Sequence, residues 1–371
     1  MRILVLGFTG YLGSHVVEGL RALPGALVLG GGRAPAADHA VDVAVDLATV
    51  SRAELAKSLA SAAPDTVINC AGATGGDPVT LAEVNARGAA VLCAALREAA
   101  PGARLVHLGS AAEYGPGVAD VRVTESAATR PVALYGATKL AGTVAVTTSG
   151  LDAVVLRVGN PVGPGAPATS LPGRIATLLR AAGPDPEAVL PLGDLSAYRD
   201  FVDVRDVARA VVLAATATGP LPPVLNISGG RAVPVRTLVR LLSEKAGFRG
   251  HITENATAGR AADAHAAGSV RSAEVSWQCS DITAAEAALG WRPAHSLDDA
   301  LTALWESGED TGENTGMGKD QAVGKNKAAE QNEAVETEAV GERHGPGERH
   351  GVWERDGVGE RGGGEKGVRT S

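Results

Sequence analysis

The chain opens with Met1-Arg2-Ile3-Leu4-Val5-Leu6, an apolar run with no charge after Arg2, and passes directly into Gly7-Phe8-Thr9-Gly10-Tyr11-Leu12-Gly13. An uninterrupted apolar run of this length suits a strand buried on both faces of a parallel sheet. Ser14-His15-Val16-Val17-Glu18-Gly19-Leu20 then reads as a helix. Strand, glycine turn and helix, in that order, constrain the fold more than any other feature. Such a turn lets the backbone approach a pyrophosphate closely, and the exposed N–H groups at the helix start receive it. Gly7, Thr9, Gly10, Tyr11, Leu12 and Gly13 are therefore candidates for a dinucleotide loop, with the spacing Gly-x-x-Gly-x-x-Gly. The competing reading is a glycine-rich turn that holds no ligand.

The second strand is predicted to end near Ala26-Leu27-Val28-Leu29-Gly30. A carboxylate there would bind the adenosine ribose hydroxyls and favour NAD. Gly30-Gly31-Gly32-Arg33 stands there instead. Nothing in it repels a 2′-phosphate, and Arg33 can pair with one, which tilts the reading toward NADP. A surface arginine in a flexible loop is the alternative. Asp46-Leu47 closes another short apolar run and is expected to face the adenine. Thr66-Val67-Ile68-Asn69-Cys70-Ala71-Gly72 reads as a further strand. Its end at Ala71 and Gly72 is small enough for a cofactor to approach.

Tyr135 and Lys139 are four residues apart, so a helix stacks them on one face. An ammonium beside a phenol favours the phenolate, and a phenol tuned in that way can pass a proton to or from a substrate oxygen. Taken alone, the pair also occurs by chance in many helices.

With these pieces in order, the chain resembles the extended short-chain dehydrogenase/reductase family, in particular its nucleotide-sugar epimerases, dehydratases and ketoreductases. The resemblance runs from Met1 to about Trp305. It is carried by Gly7/Gly10/Gly13, Asp46-Leu47, Asn69 to Gly72, Val84-Asn85, Leu108 to Gly115, Tyr135/Lys139, Arg157 to Gly163 and Tyr198 to Val204. It implies an α/β fold: a Rossmann-type doubly wound parallel sheet with a smaller α/β substrate-binding domain. The nucleotide domain would span 1–160, with 196–220 returning to it. The substrate domain would take 161–195 and 221–305, ahead of a disordered tail at 306–371. The resemblance makes Tyr135 the general acid/base, has Lys139 also hold the nicotinamide ribose, and has Ser110 position the reacting oxygen. Asn85 falls among the cofactor contacts. Asn160 would face the sugar phosphates, and Arg199 and Arg271 would pair with the nucleotide diphosphate. Members often form homodimers through the helix carrying the Tyr–Lys pair, and Ala141 to Thr148 offers only a weak face for that.

One departure narrows the chemistry. Sugar 4,6-dehydratases of the family carry an acidic residue two positions after the Ser/Thr, often within an Asp–Glu pair. This chain has Ala111 and Ala112 there. Alanine moves no proton, so dehydration is not expected. In an extended segment Glu113 points away from Ala112's face and is a poor substitute.

Further along, Asp281 to Leu289 reads as a helix ended by Gly290, and Ser296 and Asp299 form a capping box for the last helix. From Ser307 the composition turns to Gly, Glu, Lys and Asn, with a hexapeptide period at Glu342-Arg343, Glu348-Arg349, Glu354-Arg355 and Glu360-Arg361. Such a segment buries too little apolar surface to offset chain entropy, so disorder is expected. His344 and His350 are too sparse for a metal site. Residues 306–371 hold 15 acidic and 9 basic side chains, which leaves 27 and 25 in the remainder, so neither part has the basic excess of a nucleic-acid binder. Aromatic content of 3% argues against a stacking surface for single strands. Cys70, Cys93 and Cys279 are too scattered for a disulfide framework or a zinc site, and Cys70 and Cys93 read as core residues. Met1 leads straight into a core strand and no apolar run spans a bilayer, so a cytoplasmic protein without membrane partners is expected.

The leading expectation is an enzyme using NADP or NAD to interconvert hydroxyl and ketone on a nucleotide-activated sugar, as a 4-ketoreductase. A 4-epimerase with tightly bound NAD, a reductase of a non-sugar ketone or aldehyde, and a non-catalytic redox sensor remain open.

Overall fold

The computed structural model describes residues 1–33, 41–254 and 275–308. Arg271 and the low-complexity segment with its hexapeptide repeat lie outside these residues. β1 (Arg2–Leu6) passes through the glycine turn into α1 (Tyr11–Arg21). Next come β2 (Leu27–Gly32), β3 (Val43–Ala44), α2 (Arg52–Ala62) and β4 (Thr66–Asn69). α3 (Pro78–Ala82) and α4 (Gly88–Ala99) are joined by a π-helical turn at Glu83–Arg87. β5 (Arg104–Ser110), α5 (Leu134–Thr147) and β6 (Ala153–Val158) complete the run.

After β6 the chain alternates between two places. β7 (Asn160–Val162), α6 (Leu171–Ala182), β8 (Val189–Leu192) and β9 (Tyr198–Asp203) build a smaller region. α7 (Val204–Thr216) and β10 (Val224–Ile227) return to the large sheet. β11 (Ala232–Pro234), α8 (Val235–Lys245), β12 (His251–Glu254), α9 (Thr283–Leu289) and α10 (Leu297–Glu306) follow.

The large sheet has the order β10-β6-β5-β4-β1-β2-β3, and each neighbouring pair is parallel. Ile3 and Val5 join Val16, Leu20, Val207 and Val211 on the face covered by α1 and α7. Leu4 and Leu6 join Leu55, Leu59, Leu92 and Leu96 on the face covered by α2 and α4. With period-2 alternation and both faces covered, the four buried positions of β1, Ile3 to Leu6, must all be apolar. The strand order reverses between β1 and β4. At such a switch point a crevice opens beyond the carboxyl ends of the strands.

Several expectations shift. β2 runs on to Gly32, and β4 stops at Asn69 rather than Gly72. β10 was expected outside the nucleotide domain, but Leu225 and Ile227 are fully buried in its core beside β6. The stretch Pro78–Ala99 is a helical run of 22 residues whose length and composition alone would let it cross a membrane. Helical pairing continues through Glu83, Asn85 and Arg87, which break the apolar run in sequence. Leu92, Cys93 and Leu96 of this stretch pack into the sheet core. Cys70, expected in the core, is only partly buried.

The smaller region contains a three-stranded sheet, β11-β9-β7, and a pair, β12-β8. Ile175, Leu179, Phe201, Leu238, Leu242, Leu301 and Leu304 form its core. The predicted capping box is present: the Ser296 side chain accepts from Asp299 N, and the Asp299 carboxylate accepts from Ser296 N.

Candidate active site at the switch point

The crevice is framed first by the turn after β1. Gly7 has φ +74°, a left-handed conformation that a side chain strains, and a Cβ there would lie 2.7 Å from Ala71 N. A Cβ on Gly13 would collide with the Gly7 carbonyl oxygen. Gly10 is the N-cap of α1 and makes no side-chain cap hydrogen bond. Thr9 and Gly10 are exposed. The first turn of α1 thus starts at exposed residues with no side chain capping its N–H groups, which fits a dinucleotide pyrophosphate. Tyr11 contributes backbone there and not its phenol. Its hydroxyl is buried without a hydrogen-bond partner among the described residues. Burial, and then the charge of Asp203, push that phenol well above its ordinary range. His15 Nε2 donates to Pro164 O at 3.0 Å, tying α1 to the loop after β7.

At the ribose end, Arg33 is exposed directly after β2. A carboxylate that the sequence reading missed, Asp42, lies alongside, where its Oδ2 accepts Gly30 N at 2.7 Å. Asp46 Oδ1 accepts Ala48 N at 3.0 Å and shapes the next turn. Leu47 was expected to face an adenine, but its side chain is buried in the core under the sheet.

The loop after β4 crosses between the glycine turn and α5. Ala71 abuts Gly7, and a Cβ on Gly72 would lie 3.7 Å from Lys139 Nζ. Lys139 is buried and donates to Leu108 O at 2.5 Å. Asn85, expected among the cofactor contacts, is tied into the framework beside Gly72. Its Oδ1 accepts Ala73 N at 2.9 Å, and its Nδ2 donates to Ala73 O at 2.9 Å and to Thr138 Oγ1 at 3.2 Å. Both donors are in use, and the side chain is 2% exposed.

His107 escaped the sequence reading. Its signal was a lone polar side chain inside an apolar strand, which demands a partner. That partner is Asn69, opposite it on β4. Asn69 Oδ1 accepts Ala71 N, so its Nδ2 donates to His107 Nδ1 at 3.1 Å. The imidazole then carries its proton on Nε2. Burial and the Lys139 charge hold the His107 pKa well below the usual value.

Ser110 ends β5, and its Oγ accepts Ala112 N at 3.2 Å. Residues Ala111–Glu113 form a 3₁₀ turn, not the extended segment assumed from sequence. The turn sends Glu113 inward, where it pairs with Arg157. A Cβ on Gly136 would lie 2.5 Å from Ala112 O, so α5 packs directly on this turn. Ser110, Tyr135 and Lys139 therefore gather at the carboxyl end of β5, with Tyr135 half-buried.

On the substrate side, Asn160 Nδ2 donates to Asp200 O at 3.1 Å and to Gln278 Oε1 at 2.8 Å. Both of its donors, expected to face the sugar phosphates, have partners within the protein. Arg199 is buried, donates to Tyr198 O at 2.8 Å, and has its pKa lowered by burial.

Residues 3–228 match the sequence model of the NAD dependent epimerase/dehydratase family. The chain belongs to that family. Members similar to it include a dTDP-6-deoxy-L-talose 4-dehydrogenase (NAD(P)(+)) of Kitasatospora kifunensis, 40% identical over 82% of this chain and 94% of the relative. A GDP-6-deoxy-D-mannose reductase of Pseudomonas aeruginosa is 27% identical over 82% of this chain and 97% of the relative. Among solved structures, MoeE5 in complex with UDP-glucuronic acid and NAD superposes with TM-score 0.70 at 26% identity, covering 84% of this chain and all of that one. This epimerase/dehydratase family member is thus an NAD(P)-dependent enzyme of the nucleotide-sugar dehydrogenase and epimerase group.

Proposed function

We propose that the enzyme is a ketoreductase that interconverts ketone and hydroxyl at C4 of a nucleotide-activated sugar. The observation carrying this reading is the turn after Ser110. Ala111 and Ala112 offer no carboxylate, and Glu113 is locked to Arg157, so elimination of water has no acid or base there. Redox at a single carbon is what the remaining groups support. Tyr135 exchanges a proton with the sugar oxygen, and Lys139, anchored on Leu108 O, holds positive charge one helical turn away. Ser110 Oγ accepts from Ala112 N, which leaves its O–H to donate to the same sugar oxygen. The bound nicotinamide supplies or takes the hydride. Arg33 can pair with a 2′-phosphate, which favours NADP, whereas Asp42, bonded to Gly30 N, favours NAD, so both cofactors belong in the assay; Arg199 meets the substrate diphosphate. The likeness to the dTDP-6-deoxy-L-talose 4-dehydrogenase makes a dTDP-activated 4-keto-6-deoxy sugar the first substrate to assay.

Incubation of that ketone with NADPH is expected to release one NADP⁺ per sugar reduced. Inversion at C4 with no net change of cofactor would instead establish an epimerase and overturn the proposal.

A further inference from the structure

We propose that the buried Glu113–Arg157 ion pair is the positioning device of the Ser110 hydroxyl, an inference that rests on the hydroxyl–ketone reading above. The Glu113 side chain is 0% exposed and that of Arg157 5%. The carboxylate divides its two oxygens between two tasks. Oε1 accepts the Ser110 N–H at 2.8 Å, and Oε2 accepts Arg157 Nε–H at 2.7 Å. One oxygen therefore holds the backbone of the residue whose hydroxyl meets the substrate, and the other is anchored on the next strand.

The strand register makes room for this arrangement. Gly109 lies directly opposite Arg157 on β6, and Ser110 opposite Val158. A Cβ at position 109 would stand 2.8 Å from Glu113 Oε1 and 2.7 Å from Val155 Cγ1. The residue before Ser110 is a glycine where Val155 and the Glu113 carboxylate together occupy the space a side chain would fill.

The pair is braced from behind. The Arg157 guanidinium lies 4.5 Å over the Tyr114 ring, and Tyr114 donates its O–H to Asn226 Oδ1 at 2.8 Å. Asn226 Nδ2 donates to Val123 O and Asp281 O at 3.0 Å each. The Ser110 turn is thus connected through two strands to the segments at 123 and 281. Burial works against the Arg157 charge, but Glu113 and Tyr114 outweigh it and hold its pKa above the ordinary value.

A buried ion pair adds little stability over well-packed apolar residues, so stability alone does not account for it. Direction does. A carboxylate presents two charged acceptor oxygens at once, so it can take one donor from each of two strands and hold both in fixed geometry. Glu113 touches no reacting atom; it acts through Ser110.

The test is a double-mutant cycle of Glu113→Gln and Ser110→Ala, with steady-state kinetics, nicotinamide fluorescence titration and thermal unfolding on each variant. Glu113→Gln is expected to lower kcat about 100-fold, the scale of a small misplacement of a positioned group, with KM for the sugar nucleotide changed less than about threefold. In the Ser110→Ala background the same substitution is expected to cost little, because the group it positions is gone. Equal losses in both backgrounds, or a lower unfolding temperature with unchanged kcat, would overturn the proposal. If Glu113→Gln does not fold, Arg157→Lys enters the same cycle, since a lysine keeps the charge but cannot both pair with Glu113 and stack on Tyr114. A crystal structure of the folded variant provides a readout independent of turnover. More than one Ser110 rotamer is expected, and a single unchanged rotamer would count against the pair. That readout decides the positioning role even if the sugar-nucleotide reading fails in its own assay.

Discussion

Tyr135 is half-buried at the first turn of α5, close to the turn that carries Ser110. Its proposed contribution is one proton, so Tyr135→Phe keeps the ring and removes only the chemistry. The variant is expected to lose about 10²- to 10⁴-fold in kcat while binding cofactor as the parent does. Nicotinamide fluorescence and single-turnover reduction check the two halves separately. Unchanged cellular activity of the variant would favour a dinucleotide sensor instead. At this scale residue type alone does not assign the role of an amide. Asn85 and Asn160 stand at motif positions, yet the N–H groups of both amides bind the protein. An amide has donors and an acceptor, so it serves a ligand or a framework equally well, and its identity does not tell which.

At the scale of elements, β9 connects the two regions. Its Asp200 is fully buried and takes Ser280 N at 2.8 Å and Arg231 N at 3.4 Å, joining three chain segments. Burial pushes its carboxyl up to about 6, against the N–H donors that favour the charged form. The sign of the pH effect follows. The folded protein holds this proton across a window, roughly pH 4 to 6, in which the unfolded chain has released it. The contribution of Asp200 to stability therefore falls as pH rises through that window, by on the order of 3 kcal/mol, and is level above it. Urea unfolding of Asp200→Ala between about pH 4 and 7 is expected to lack that slope, whatever its overall loss of stability. Curves parallel to those of the parent would remove Asp200 as the source. This strand was legible in sequence as a motif. The cluster around Asp200 was not, because Ser280 and Arg231 arrive from distant segments.

For the molecule as a whole, the last segment is held to the large sheet by Trp291. The side chain is fully buried and donates from Nε1 to Asp206 O at 2.9 Å. Asp206 Oδ2 accepts the N–H groups of Ala294 and His295, both at 2.9 Å. α7 thus packs on the sheet with one face and holds the approach to α10 through Asp206. Trp291→Ala is expected to cost about 3–5 kcal/mol in urea unfolding, the usual range for emptying so large a buried site. A loss under about 1 kcal/mol would mean that the segment can be detached without consequence.

The sequence by itself determined the β1–glycine–α1 unit, the order of the motifs along the chain and the Ser296–Asp299 cap. These depend on backbone conformation and near neighbours, and such requirements are written locally. It also determined that Ala111 and Ala112 cannot move a proton. The tertiary structure alone decided which of the candidate side chains are taken up by the protein itself. Leu47 turned into the core, Asn85 closed on Ala73 and Thr138, and Glu113 met Arg157 from 44 residues away. A buried polar group takes the partner that packing brings to it, and packing is a property of the assembled sheet and helices rather than of any one stretch of chain.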